Sequence, residues 1–223
     1  VLGLEYVMAG YLHLAAGGDI TCQLKKSPEI SVTASDTTLK INNTKSKTEL
    51  NNFDIDTISP YGSNVQSHVG GLMSGELKTT SDMSMMSESY PALNAACLMI
   101  NKITVRINVD PTIFIAREYK QGSCMYNAIM EHERKHVQVD RMIVNKYIKL
   151  ISQALDSYYK NIGYIYGPIP IQYMHEGQEK FAAPGNKIIL EYAKRMNEER
   201  KRLQQNIDSL DEYNRVNNAC GGQ

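Results

Sequence analysis

The chain predicts an α+β fold: a small antiparallel or mixed sheet, a long helix bearing its most distinctive motif, and a second long helix packed antiparallel to the first. Three observations lead there. Ile103-Thr104-Val105-Arg106-Ile107-Asn108-Val109 alternates strictly between apolar and polar residues, the period of a half-buried strand. Residues 124–159 contain neither Gly nor Pro and repeat apolar residues at helical spacing. After Pro184-Gly185, a third stretch reaching about Tyr213 carries an apolar stripe of Ile189, Tyr192, Met196, Leu203, Ile207 and Leu210. Its opposite face is charged, with Lys194, Glu198, Lys201 and Arg202. Two long helices joined by one connection favour an antiparallel pair.

In chain order, Leu2 to Ala16 is moderately apolar but carries Glu5 and His13 and lacks a basic leader, so it reads as a mature N-terminus. Residues 28–90 are rich in Ser, Thr, Asn and Gly, with short alternations at Ile30–Thr33 and Thr38–Ile41 that predict short strands. Turns are expected at Ser59–Asn64 and Gly70-Gly71, and a polar, Met-containing loop at Thr79–Glu88. Asp110-Pro111 interrupts the strongest strand, because proline gives a sheet no donor, and Thr112–Ala116 resumes it. Ser123 is placed to cap the motif helix. Pro168, Pro170 and Gly177 punctuate Tyr164–Pro184, which reads as a connection. The expected division is an extension at 1–27, a core at 28–162, a connecting loop at 163–185, and a C-terminal helix and tail at 186–223.

Bulk properties exclude several classes. With 223 residues, the chain suffices for one substantial domain or one with an appendage. Lys+Arg and Asp+Glu both number 24, so there is no basic footprint for nucleic acid. No apolar run approaches the roughly 20 residues that cross a bilayer. Cys22, Cys97, Cys124 and Cys220 form no C-x-x-C pair, which disfavours a cysteine zinc knuckle. Their even count permits two disulfides in an oxidising compartment. The expected pairs are Cys97 with Cys124, bracketing the strands before the motif helix, and Cys22 with Cys220, tying down the termini.

His132-Glu133-Arg134-Lys135-His136 fits H-E-x-x-H, in which residues four apart on a helix grip one metal ion and the glutamate reaches a metal-held water. By chance the bare pattern arises in on the order of one chain in a hundred of this length, so the helix itself has to support it. Steps of about 100° put Met125, Ile129, His132, His136, Val139, Ile143, Tyr147 and Leu150 in one sector. Val137, Val144 and Ile151 widen it on the side of Glu133, while Arg134 lies opposite and Lys135 at its edge. Ligands and base therefore share the apolar face, where an ionised Glu133 needs a partner or a cation. The bland alternative is two hydrogen-bonded core histidines with Glu133 paired to an arginine. Asp140, one turn on, fits either a bond to the free ring N–H of a ligating histidine or a buried pair with Arg141 or Arg117. For the third ligand that catalytic zinc needs, three positions compete. His175 is the first choice by residue chemistry, Glu199 is nearest the centre of the second helix's apolar stripe, and Asp211 would lie level with His136 in an antiparallel pair.

Cys124-x-Tyr126-x-x-Ile129-x-x-His132-Glu133-x-x-His136, following Val105–Ala116, resembles a family of uncharacterised bacterial secreted proteins regarded as zinc-dependent proteases. The resemblance covers about residues 30–160 and extends to Thr48-Glu49-Leu50 and Val69–Gly75. It implies a zincin-like fold, export to the periplasm or medium, zinc on His132 and His136, and Glu133 as general base. The family's further histidine, in a glycine-containing motif after the second helix, has no counterpart in Asp211–Gly222. The function expected is a zinc metallopeptidase acting on a peptide or protein substrate. Thr112–Ala116 would then pair with the extended substrate, and Tyr173 would stabilise the oxyanion. The alternative is a non-catalytic binding protein that keeps the same scaffold.

Overall fold

The computed structural model describes residues 20–53 and 70–221. The chain is α+β, with small sheets and long helices, and it forms two compact units woven from non-contiguous segments. Leu2–Ala16 and the Ser59–Asn64 turn lie outside the described residues.

One unit draws on residues 1–32, 80–105 and 149–191. Its sheet is built on β5 (Ala95–Val109), hydrogen-bonded to β1 (Glu29–Asp36) and β4 (Leu77–Tyr90), with β7 (Ile165–Pro170) pairing antiparallel to β5. Ala95 to Ile100 is buried without alternation, as befits a strand covered on both faces. Thr79–Glu88, expected as a loop, lies within β4. Its polar residues hide the strand period, and pairing with the apolar β5 overrides local propensity.

The 163–185 stretch also departs from expectation, forming β7, a short 3₁₀ turn and the start of α3 (Met174–Ile207), which runs straight through Pro184. A proline leaves a gap in a helix ladder. At the next rung the hydroxyl of the fully buried Tyr159 joins the ladder, donating to the Phe181 carbonyl at 3.4 Å and accepting from the Gly185 N–H. Residue 185 must be glycine for this: a Cβ there would stand 2.5 Å from the Tyr159 oxygen. Burial pushes the Tyr159 phenol up to about 12, so it stays a neutral donor. Cys22 joins the buried Cys97.

The second unit draws on residues 33–79, 106–148 and 192–223. β2 (Lys40–Asn42) and β3 (Gly71–Ser74) flank β6 (Thr112–Ile115) in a mixed sheet, β2 parallel and β3 antiparallel to it. Both edges of β6 are therefore occupied, and Thr112–Ala116 cannot take an extended substrate as a free edge. Gly71 opens β3 instead of making a turn, and its missing side chain has a packing reason. A Cβ there would clash with Ile129 Cγ2 and stand 3.1 Å from Glu133 Oε1. Ser46 starts the short α1 (Lys47–Leu50) with a reciprocal capping box to Glu49.

α2 (Cys124–Ile162) begins where expected, and the Ser123 hydroxyl accepts the Tyr126 N–H at 3.3 Å. Ile129, Met130 and Val137 pack with Ile113 and Ile115. Within this unit the pairs Tyr147–Glu199, Asp140–Arg200 and Gln204–His136 run in opposite directions along α2 and α3, so the two helices are antiparallel. α3 ends at Ile207, and Ser209 caps α4 (Leu210–Asn218) by accepting the Glu212 N–H. Cys220, just beyond α4, is bonded to Cys124 at the first residue of α2. The disulfides are thus Cys22–Cys97 and Cys124–Cys220, not the pairs expected, because each bond closes within one unit. Nearness along the chain is a poor guide when units are woven from distant segments.

Candidate metal centre

Burial along α2 follows the helical wheel. Ile129, His132, His136, Val139, Ile143 and Tyr147 are buried, as are Glu133, Val137 and Val144, while Arg134, Gln138, Arg141 and Asn145 are exposed. The polar residues on this face meet others from α3 and α4.

His132 Nε2 lies 3.2 Å from Asp208 Oδ1, His136 Nε2 lies 3.2 Å from the same oxygen, and the two Nε2 atoms are 3.3 Å apart. Three atoms thus form a nearly equilateral triangle in a buried site, and they are the one group among the described residues suited to holding a metal ion. The far nitrogens explain what the near ones carry. His132 Nδ1 faces a Glu212 carboxylate oxygen at 3.3 Å, an acceptor only, so this nitrogen bears the proton. His136 Nδ1 faces Gln204 Oε1. The Gln204 amide cannot be turned around, because its nitrogen donates to Asp140 Oδ1 at 2.6 Å and to the His136 carbonyl at 3.1 Å. In their neutral forms both histidines therefore aim a bare Nε2 lone pair at a carboxylate oxygen. Three acceptors facing one another are complementary only to a cation, either protons or a metal.

The spacing suits a metal. Four ligands set tetrahedrally about 2.0–2.1 Å from a zinc ion lie about 3.3–3.4 Å from one another. Two imidazoles and a carboxylate are also a donor set that zinc accepts.

Surrounding groups hold these atoms in place. Asp140, fully buried, takes a bidentate contact from Arg200, Nε to Oδ1 at 2.7 Å and Nη2 to Oδ2 at 3.1 Å. Arg200 also reaches the Gly75 carbonyl at 3.1 Å. Asp140 thus steadies His136 through Gln204 without touching the ring, and its ionic partner is Arg200, not Arg141 or Arg117. Glu212 binds Lys135 at 2.7 Å and Arg215 at 2.7 and 2.9 Å. The Arg215 guanidinium above all, helped by Lys135 and His132, holds the Glu212 carboxyl down at about 2. It stays ionised beside His132.

Glu133 is buried in the same unit. Burial, the largest influence, raises its carboxyl to about 6, opposed by the two imidazoles and by the Met73 N–H it accepts, and reinforced by the charge on Asp208. That is the range in which a general base works near neutrality. Burial pulls His136 down, but Asp208, Glu133 and Gln204 together outweigh it and raise its pKa above the usual 6.5. Without a metal, His136 therefore holds its proton more firmly than an ordinary imidazole.

The positions anticipated for the third ligand do not join the group. His175 stands on α3 in the other unit, with its side chain 86% exposed and Nδ1 3.7 Å from Glu179. Tyr173, half exposed, belongs to that unit too. Glu199 is bound by Lys146 at 2.7 Å and by the Tyr147 hydroxyl at 3.1 Å. Asp211 is exposed in the first turn of α4. Asp208, Gln204, Arg200 and Glu212 were missed. The signal for three of them was present: Met196, Arg200, Gln204 and Asp208 recur at four-residue steps, so the buried stripe of α3 continues in polar residues.

Comparison with family models, curated proteins and solved structures yields no match. Two disulfides, and no helix among the described residues long and apolar enough to cross a membrane, are compatible with an extracellular protein.

Proposed function

We propose that His132, His136 and Asp208 hold a zinc ion and that the protein is a metallopeptidase of the kind its motif resembles, with a zincin-like second unit. The observation that carries this is the triangle of Nε2, Nε2 and Oδ1 atoms, their far sides fixed so that only a cation complements them, beside a buried Glu133. Held by His132, His136 and Asp208, zinc would supply Lewis-acid chemistry, making a water acidic near pH 7 and polarising a substrate carbonyl. Glu133 takes the proton of the attacking water and passes it to the leaving amine; its carboxyl at about 6 is ionised at neutral pH and basic enough to do so. His132 and His136 keep their lone pairs inward because Glu212 and Gln204 hold the outer protons. With β6 enclosed, β3 becomes the strand offered to an extended peptide. It is an outer strand among the described residues, and the bare Gly71 brings it against Glu133.

The non-catalytic alternative drew its strength from the absent third ligand, and Asp208 now supplies a candidate. The decisive experiment pairs metal content with activity on unfolded protein substrates. Glu133→Gln should retain zinc and lose hydrolysis, whereas Asp208→Ala should lose both. Full hydrolysis by the Glu133→Gln protein would overturn the mechanism.

A further inference from the structure

α4 carries Glu212 to His132, and its start fixes the Asp208-Ser209 break that presents the third ligand. Yet none of its residues is buried. A nine-residue helix without a buried face is not held by its own helical propensity. Val216 makes a partial contact with the apolar cluster of α2 and β6. Tyr213 sets its ring edge-on to His132 with centroids 5.8 Å apart, and polar or covalent ties include the Glu212 contacts to Lys135 and His132, the Arg215–Glu131 pair at 3.4 Å, and the Cys124–Cys220 bond. The disulfide bridges 96 residues of sequence and fastens the end of α4 to the first residue of α2, two turns ahead of His132. Cys124 is exposed and Cys220 only partly buried, so a reductant can reach them. Cys97, in the other bond, is fully buried, and that bond lies in the unit without the metal ligands.

We propose that Cys124–Cys220 is a redox clasp on the metal centre: opening it lets α4 leave α2, loosens Asp208 and Glu212, and weakens metal binding. This deepens the metal-centre reading and rests on it. The chemistry is a thiol–disulfide exchange. A dithiol delivers two electrons and two protons, Cys124 and Cys220 become thiols, and the dithiol leaves as its own disulfide. Coupling is reciprocal, so a metal that binds the clasped form better must also make the clasp harder to open. A thiol-rich compartment would then empty the site, and an oxidising one would keep it loaded.

The test measures zinc affinity by competition with a chromophoric chelator for the native protein and for two variants, Cys124→Ser/Cys220→Ser and Cys22→Ser/Cys97→Ser. The clasp variant should bind zinc about 10-fold or more weakly, in the range expected when groups orienting a ligand are lost. The Cys22/Cys97 variant, if folded, should match the native protein. A second measurement needs no variant: native protein is treated with dithiothreitol with and without zinc, quenched with iodoacetamide, and each alkylated cysteine quantified by mass spectrometry. Zinc should slow labelling of Cys124 and Cys220 and leave Cys22 and Cys97 unaffected. Equal affinity in the clasp variant, or labelling of Cys124 and Cys220 indifferent to zinc, would overturn the clasp. Failure of the oxidised native protein to bind zinc would instead overturn the metal centre itself.

Discussion

Each unit buries a polar feature against α2 and α3, and the two are solved in opposite ways. In the first, the Tyr159 hydroxyl meets one acceptor and one donor, the Phe181 carbonyl and the Gly185 N–H, at the helix rung that follows Pro184. Each of these three groups satisfies another. In the second, His132 Nε2, His136 Nε2 and Asp208 Oδ1 bring lone pairs to one point, with the available protons fixed on the far nitrogens. Burial of polar groups does not by itself mark a functional site. What marks it is the convergence of three potential ligand atoms on one point, with the two rings held from behind by Glu212 and Gln204.

Substitutions can break this contrast, and the largest effect belongs to the ligands. Asp208→Ala or His136→Ala should reduce zinc affinity well beyond the about 10–100-fold typical of groups that merely orient a ligand. Titration against a chelator of known affinity checks this. Tyr159→Phe should leave zinc affinity unchanged but lower stability by about 1–3 kcal/mol, since it strands a buried carbonyl and N–H. Urea unfolding of the metal-free protein measures that loss. Should Tyr159→Phe impair zinc binding as much as Asp208→Ala, the two features are not separable.

The ligand-orienting groups come next. Gln204→Leu removes the acceptor that fixes the His136 proton, and Glu212→Leu the one that fixes the His132 proton; each should weaken zinc binding about 10–100-fold. Nitrogen-15 shifts of the two imidazoles should show mixed tautomers at the affected ring alone.

Smaller effects follow from pH. His136 has a raised pKa in the metal-free fold, so its contribution to metal-free stability is full below about 6.5 and is lost as pH rises through its folded value. The same proton must leave before zinc binds, so zinc affinity should fall on acidification from neutrality. Glu212 runs the other way. Its carboxyl is depressed to about 2, so the stability it confers is present above about 4.5 and fades as pH falls towards 2. Glu212→Gln should flatten the acid limb of a stability–pH curve and leave the His136 limb in place.

What the sequence made legible was the part governed by a single period. The buried face of α2, with His132, Glu133 and His136 on it, follows from 3.6-residue repetition. Ser123 as its cap and the β5 strand were readable for similar reasons. Tertiary compensation was not readable. Pro184 reads as a stop, yet α3 runs on through it, with the hydroxyl of Tyr159, 25 residues earlier, bonded to the next rung at Phe181 and Gly185. Asp208 sits just past the end of α3, where only the four-residue series from Met196 through Arg200 and Gln204 points to it. Arg200 and Gln204 resemble solvated charge and amide until their four-residue spacing from the buried Met196 is noticed.

The central claim is that the triangle holds a metal. Its most direct test is elemental analysis of the native protein and the Asp208→Ala variant, each purified oxidised from zinc-supplemented medium and dialysed free of loose metal. The account predicts about one zinc per native chain and nearly none in the variant, as a buried three-ligand site implies. Less than about a tenth of an equivalent in the native protein, or equal zinc in the two, would contradict it.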